Sequence, residues 1–178
     1  DKETISNIGL GIVWTLLLLS STLSLRKFYQ DDFESGNLLI LHLNGFSFGF
    51  IAILKTLSHF FFVQVPFLIS LPIASILLNI ASDKLIYLFS SFAIGSLILS
   101  CLGSISSSMN LMNQKNFLLG SVIVMMLSIP VIIFSVGVIN FEENFNSLIN
   151  ILFGILLIVF AINPWASGLC LKLSLENN

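Results

Sequence analysis

The side chains able to do chemistry are few in this chain of 178 residues. His59, Cys101 and Cys170 stand inside long apolar runs, and His42 stands in a polar stretch. A lone His at position 59 could coordinate iron through its neutral imidazole or hydrogen-bond a neighbouring helix. His42 reads as a surface residue. The two cysteines form no C-x-x-C pair, which argues against a zinc site or a disulfide framework and leaves them as small packing residues. There is no G-x-x-x-x-G-K-[ST] phosphate loop, so the chain does not hydrolyse a nucleotide by itself. There is no H-E-x-x-H and no G-x-S-x-G with a matching His and Asp. The apolar runs hold neither the paired acids of an intramembrane protease nor the carboxylates of a proton relay. The protein therefore reads as a non-catalytic one. Its dense charge cluster is the stretch from Arg26 to Glu34, R-K-F-Y-Q-D-D-F-E.

The rest of the chain must hold these residues in a bilayer. Hydrophobic residues make up 56% and charged residues 9% of the chain, against roughly 25% charged in soluble domains. The mean hydropathy is +1.03. A formal net charge of -2 leaves no basic footprint for nucleic acid. A membrane helix needs about 20 mainly apolar residues. Five runs meet that length, at about residues 8–25, 57–80, 85–107, 117–140 and 148–171, with an apolar lead-in to the second from Phe46. No dyad alternation of a barrel is present. The expected fold is one all-α domain, a polytopic bundle of transmembrane helices spanning residues 1–178. The polar start D-K-E-T-I-S-N, without Met, reads as a loop opening a piece of a longer chain.

Orientation follows from lysine and arginine. With five alternating spans, Arg26, Lys27, Lys55, Lys115 and Lys172 share one side, which is then the cytoplasm or the mitochondrial matrix. Lys2, Lys84 and the acidic Glu142-Glu143 loop fall on the other. The chain then starts outside and ends inside, and one more span upstream would make six. Pro66 and Pro72 in one span point to a broken helix or to ordinary tolerance of proline in membranes. Gly95, Ser96, Ser100, Gly103, Ser104, Ser106, Ser107 and Ser108 form a small-residue stripe suited to close helix packing. Gln64 is a candidate interhelical hydrogen-bonder. Trp14 reads as an anchor at the interface or as packing, and Trp165 as an anchor.

The segment 26–45 is the largest polar feature on the inner face. Leu25, Tyr29 and Phe33 share one helical face with Phe28 beside them, while Arg26, Gln30 and Glu34 line another. Lys27 and Asp31 are spaced to pair. Asp32 sits at the edge of the apolar face, and Gly36 offers a left-handed stop. The segment reads either as a short amphipathic helix along the membrane surface or as a solvated loop whose charges set topology.

The order of its motifs then matters. G-I-V-W at Gly11 to Trp14, L-L-S-S at Leu18 to Ser21, R-K-F-Y-Q-D-D-F-E-S-G at Arg26 to Gly36, then Lys55, His59, Pro66 and a final N-P-W-A-S-G at Asn163 to Gly168 resemble the CcmB family. That family comprises the haem exporter B proteins of cytochrome c maturation, permease subunits of the ABC type. The likeness covers nearly the whole chain and lacks the family's first span. It departs at Arg26-Lys27, where the family has an acidic-basic pair, at Leu39, where it has an acid, and at Gly45, where Pro is frequent. The resemblance implies an ABC-2-like permease in the bacterial or mitochondrial inner membrane. It implies an ATP-binding-cassette partner of the CcmA kind, a haem-handling protein of the CcmC kind and a haem chaperone of the CcmE kind. Haem would be cargo, with His59 a candidate ligand, and ATP would act only through the partner. The complex would export haem or release the loaded chaperone. On this reading Arg26, Lys27, Phe28, Tyr29, Asp31, Asp32, Phe33, Glu34 and Gly36 form the coupling segment. Its carboxylates would meet basic groups, and its aromatic residues would fill a groove of the ATPase. The rival readings are a permease for a lipid or drug, and a passive membrane scaffold.

Overall fold

The computed structural model describes residues 2–24, 28–77, 84–112, 118–140 and 144–176. Among them the secondary structure is helical throughout: α1 Lys2–Ser24, α2 Gln30–Glu34, α3 Asn37–Leu43, α4 Phe48–His59, α5 Val65–Leu77, α6 Leu85–Met112, α7 Leu118–Asn140 and α8 Phe145–Glu176. Lipid offers the backbone no hydrogen bonds, so a single apolar chain can only satisfy its amides within helices. The protein is a helical, multi-pass membrane protein.

Among the described residues four helices are long and apolar enough to cross a membrane: Phe48–Leu77, Leu85–Met112, Val122–Ile139 and Phe145–Glu176. The expected first span, 8–25, corresponds to α1, whose clearly apolar stretch is the shorter Gly11–Ser20. The polar start is helical from Lys2 rather than a loop, because nothing before Gly9 breaks a helix. The second span begins at Phe48, nine residues earlier than expected. Hydropathy locates the lipid core, whereas the helix begins where Ser47 caps it by accepting a hydrogen bond from the Phe50 amide at 3.3 Å.

The span Phe48–Leu77 is continuous but widened. A π-helical turn at Phe60–Gln64 joins α4 to α5, and the Val65 amide donates five residues back to the Phe60 carbonyl. Pro66 follows directly; it lacks an amide proton, and its ring clashes with the carbonyl four residues earlier. The widened turn is the helix's accommodation, so the expected break takes the form of a bulge.

α6 is the hub and packs against α1, α4, α5, α7 and α8. Its small-residue stripe is buried as expected. Several of its serines return hydroxyl protons to their own helix, as Ser100 does to the Ser96 carbonyl at 3.1 Å and Ser108 to the Ile105 carbonyl at 2.8 Å. Where α1 meets α6, Trp14 packs as a core residue at 1% exposure, its ring tilted against Phe92 at 4.2 Å between ring centres. Gly95 makes room for that indole: a methyl group there would overlap Trp14 and stand 3.2 Å from the Ser135 hydroxyl. Gly95→Leu is expected to displace Trp14 and cost about 1–3 kcal/mol, read as a lowered unfolding temperature and altered tryptophan fluorescence. Trp165 faces outward at 71% exposure.

α4 and α8 cross with backbones touching. A methyl group at Gly168 would lie 3.0 Å from the Gly49 nitrogen, and one at Gly49 would lie 3.1 Å from the Pro164 carbonyl oxygen. At one end of the bundle a separate apolar cluster unites Phe28, Tyr29, Leu38, Ile51, Leu111 and Leu171. The start of α4 and the ends of α6 and α8 therefore meet on one side, as alternating spans require.

A coupling surface and its buried polar connection

Between α1 and α4 the chain forms an elbow, residues 28–47. The expectation of one helix from Arg26 to Gly36 is corrected: Phe28 and Tyr29 lie in a turn, and α2 begins only at Gln30. The reason is burial. Phe28 and Tyr29 are drawn into the bundle at 6% and 0% exposure, so the chain turns there. Gly36 is the left-handed stop expected, at φ 75°, and serves at once as the first residue flanking α3. A second left-handed glycine, Gly45 at φ 93°, closes the elbow.

The polar residues of the elbow divide by direction. Asp31 and Glu34 are exposed, and the Gln30 side-chain amide donates to Glu34 Oε1 at 2.7 Å across one turn. Asp32, at the edge of the apolar face, is instead ion-paired with Lys55 of α4, the two side chains 22% and 32% exposed. Phe33 is half-buried against the apolar cluster. Arg26, Lys27 and Leu25 lie outside the described residues, and with them the Lys27–Asp31 pair. A pair as exposed as Asp32–Lys55 is worth at most about 1 kcal/mol. Asp32→Lys should loosen the elbow, and Lys55→Asp in the same chain should restore it. Limited proteolysis across residues 30–47 measures both.

Beneath the elbow runs a chain of buried hydrogen bonds that the sequence reading did not assemble. The Tyr29 hydroxyl bonds Ser104 Oγ of α6 at 2.7 Å. Ser104 Oγ bonds Ser167 Oγ of α8 at 3.2 Å, and Ser167 donates to Asn163 Oδ1 at 2.9 Å. Asn163 Nδ2 donates to Thr56 Oγ1 of α4 at 2.8 Å, and Thr56 donates to the Ala52 carbonyl at 2.8 Å. Tyr29, Ser104, Ser167, Asn163 and Thr56 are all 0% exposed. Burial pushes the Tyr29 phenol well above its ordinary range; the Ser104 hydrogen bond opposes this and the nearby Cys101 thiol adds to it. The ring therefore stays neutral at any physiological pH. Asn163 within an apolar stretch of a membrane helix and Thr56 at the turn above His59 were the available signals, since buried polar groups in lipid need partners.

His59 lies deeper than the expected mouth of the span. It is eleven residues into α4, about 16 Å along the axis. Its Nδ1 and Ser100 Oγ are 3.0 Å apart, and its ring sits 4.9 Å from that of Phe28. Ser100 already gives its one hydroxyl proton to the Ser96 carbonyl. With the Ser100 proton on the Ser96 carbonyl, Nδ1 is the donor to Ser100 and the Nε2 lone pair is left open. Nε2 is buried with no hydrogen-bond partner. His42 is on the surface, its ring stacked on Phe48 at 4.1 Å between centres. Gln64 is buried in the π-helical turn. Among the described residues no group of three or more His, Cys, Asp or Glu side chains could hold a metal ion.

This arrangement is a set of buried hydrogen bonds between helices. It can anchor a surface segment to three spans at once. Sequence comparison agrees with the order of motifs. The chain is 29% identical to "Heme exporter protein B" of Haemophilus influenzae over 180 aligned positions, covering 99% of this chain and 81% of that one. It is 28% identical to the protein of the same name from Paracoccus denitrificans, over 99% and 82%. For Rhodobacter capsulatus the identity is 25%, over 98% and 81%. The sequence profile of the CcmB protein family matches residues 1–174, and the chain belongs to that family.

Proposed function

We propose that the protein is the membrane subunit of a haem exporter complex of the inner membrane, and that residues 28–43 are where a partner ATPase drives it. The family membership supports the first part. The observation that carries the second is the hydrogen-bond chain from Tyr29 through Ser104, Ser167 and Asn163 to Thr56, which ties the surface segment to α6, α8 and α4. A push on α2 and α3 would reach three spans through groups held in register. A coupling of this kind needs only about 1–3 kcal/mol of differential contact between two states. Asp31 and Glu34 would meet basic groups of the partner, with Phe33 beside them. Asp32 would act as a strut to Lys55, and Phe28 and Tyr29 as internal anchors rather than groove-fillers. Partners of the CcmA, CcmC and CcmE kinds are those the family points to.

Asp31→Lys with Glu34→Lys is expected to weaken co-purification of the ATPase subunit at least tenfold while leaving the yield of inserted protein unchanged. Unaltered co-purification would refute this assignment. Function preserved with a hydrolysis-dead ATPase would favour a passive scaffold.

A second reading concerns cargo. The imidazole of His59, with Nδ1 beside Ser100 and Nε2 without a hydrogen-bond partner, would ligate haem iron through Nε2. The ring is buried, with Phe28 beside it, so ligation would need the packing around it to open. His59→Gln should then abolish any haem absorption band of the purified complex while its ATPase coupling persists. An unchanged spectrum would leave His59 as a packing residue.

A further inference from the structure

The elbow and α4 enclose a groove of about 190 Å³ lined by Leu41, Phe46, Ile51, Leu54, Lys55 and Ser58. The same elements expose further apolar side chains: Leu39, Ile40 and Leu43 of α3 are 47%, 55% and 76% exposed, and Phe50 of α4 is 45% exposed. On the flank of a membrane-spanning helix, such a surface is covered by lipid. Lys55 stands seven residues into that span, about 10 Å along it, a depth from which a lysine reaches the headgroup region.

We propose that this groove is a phospholipid site selective for an ethanolamine headgroup. The apolar walls take the upper part of one acyl chain, and the Lys55–Asp32 pair takes the headgroup. The argument for the occupant is charge. Lys55 lines the groove and Asp32 is its ion-pair partner; the pair is neutral as a unit, so it does not favour a lipid of net negative charge. It offers one cation and one anion side by side, both part-exposed. The Lys55 ammonium has three donors and gives one direction to Asp32, so a phosphate oxygen can accept from another. The Asp32 carboxylate can in turn accept from a primary ammonium separated from the phosphate ester oxygen by two carbons. A choline headgroup lacks that N–H donor, and a glycerol headgroup lacks the cation.

The test uses the full complex in nanodiscs of defined composition, with p-benzoylphenylalanine replacing Leu54. Ultraviolet irradiation should yield adducts of lipid mass on the peptide carrying position 54. Phosphatidylethanolamine adducts should exceed phosphatidylcholine and phosphatidylglycerol adducts by at least fivefold in an equimolar mixture. Asp32→Asn should collapse that selectivity to about unity. Native mass spectrometry of unmodified protein should show one ethanolamine lipid retained, and Ser58→Phe, which fills the groove, should release it. Adducts in proportion to bulk composition would overturn the proposal. So would cross-linking to a partner subunit instead of lipid, or retention unaffected by Ser58→Phe.

Discussion

Gly168→Val should prevent the bundle from closing. The first added carbon would meet the Gly49 backbone nitrogen at 3.0 Å and the Gly49 Cα at 3.2 Å. Both are main-chain atoms of a helix and cannot rotate aside, so α4 and α8 must separate. Overpacking of this kind costs about 1–3 kcal/mol, and a backbone-to-backbone crossing belongs at or above the upper end. Separation also pulls Asn163 from Thr56, which breaks the buried polar chain in its middle. The expected outcome is loss of monodisperse protein in detergent and a collapse in membrane yield. The control lies on the same helix: Gly154 has nothing within 4 Å of its position, so Gly154→Val carries the same change in helix propensity without the clash. Equal effects of the two substitutions would remove the close crossing from the account.

Tyr29→Ala should release the elbow. Tyr29 is 0% exposed and centres the cluster with Phe28, Leu38, Ile51, Leu111 and Leu171. Deleting a buried aromatic ring costs about 3–5 kcal/mol. Tyr29→Phe keeps the ring and removes only the hydroxyl bonded to Ser104, a loss of about 1 kcal/mol. The elbow of Tyr29→Ala should therefore be cut rapidly by protease across residues 30–47, while that of Tyr29→Phe stays protected. The second variant also separates anchoring from transmission. If the hydrogen-bond chain carries the push, Tyr29→Phe lowers ATP-dependent function with the ATPase still bound. Full activity in Tyr29→Phe would reduce the tyrosine to packing.

These two residues also show how much could be read from the chain alone. Tyr29 was legible as an apolar position spaced four from Phe33, although the chain there is a turn and not the helix expected. Its direction was not: the same side chain could meet a partner's groove or the protein's own core. Gly168 was legible as part of N-P-W-A-S-G, yet nothing in that motif names Gly49 as its neighbour. The composition alone required a helical membrane protein, since apolar chain in lipid has no other way to satisfy its amides. Length and hydropathy placed the third, fourth and fifth spans near their observed helices, and Gly36 announced its own stop through the left-handed conformation it permits. The helix starts at Lys2 and Phe48 were missed because helical hydrogen bonding continues beyond the apolar stretch that hydropathy detects.

Tertiary structure decided the rest. It turned Asp32 towards Lys55, set His59 on Ser100, and joined Tyr29 to Ser104 and Thr56 to Asn163 across 75 and 107 positions of sequence. Such pairings depend on the rotation and register of whole helices. Those follow from where small residues let backbones touch, at Gly49 with Gly168 and at Gly95 under Trp14. That geometry is a property of packed surfaces, which no single stretch of chain contains.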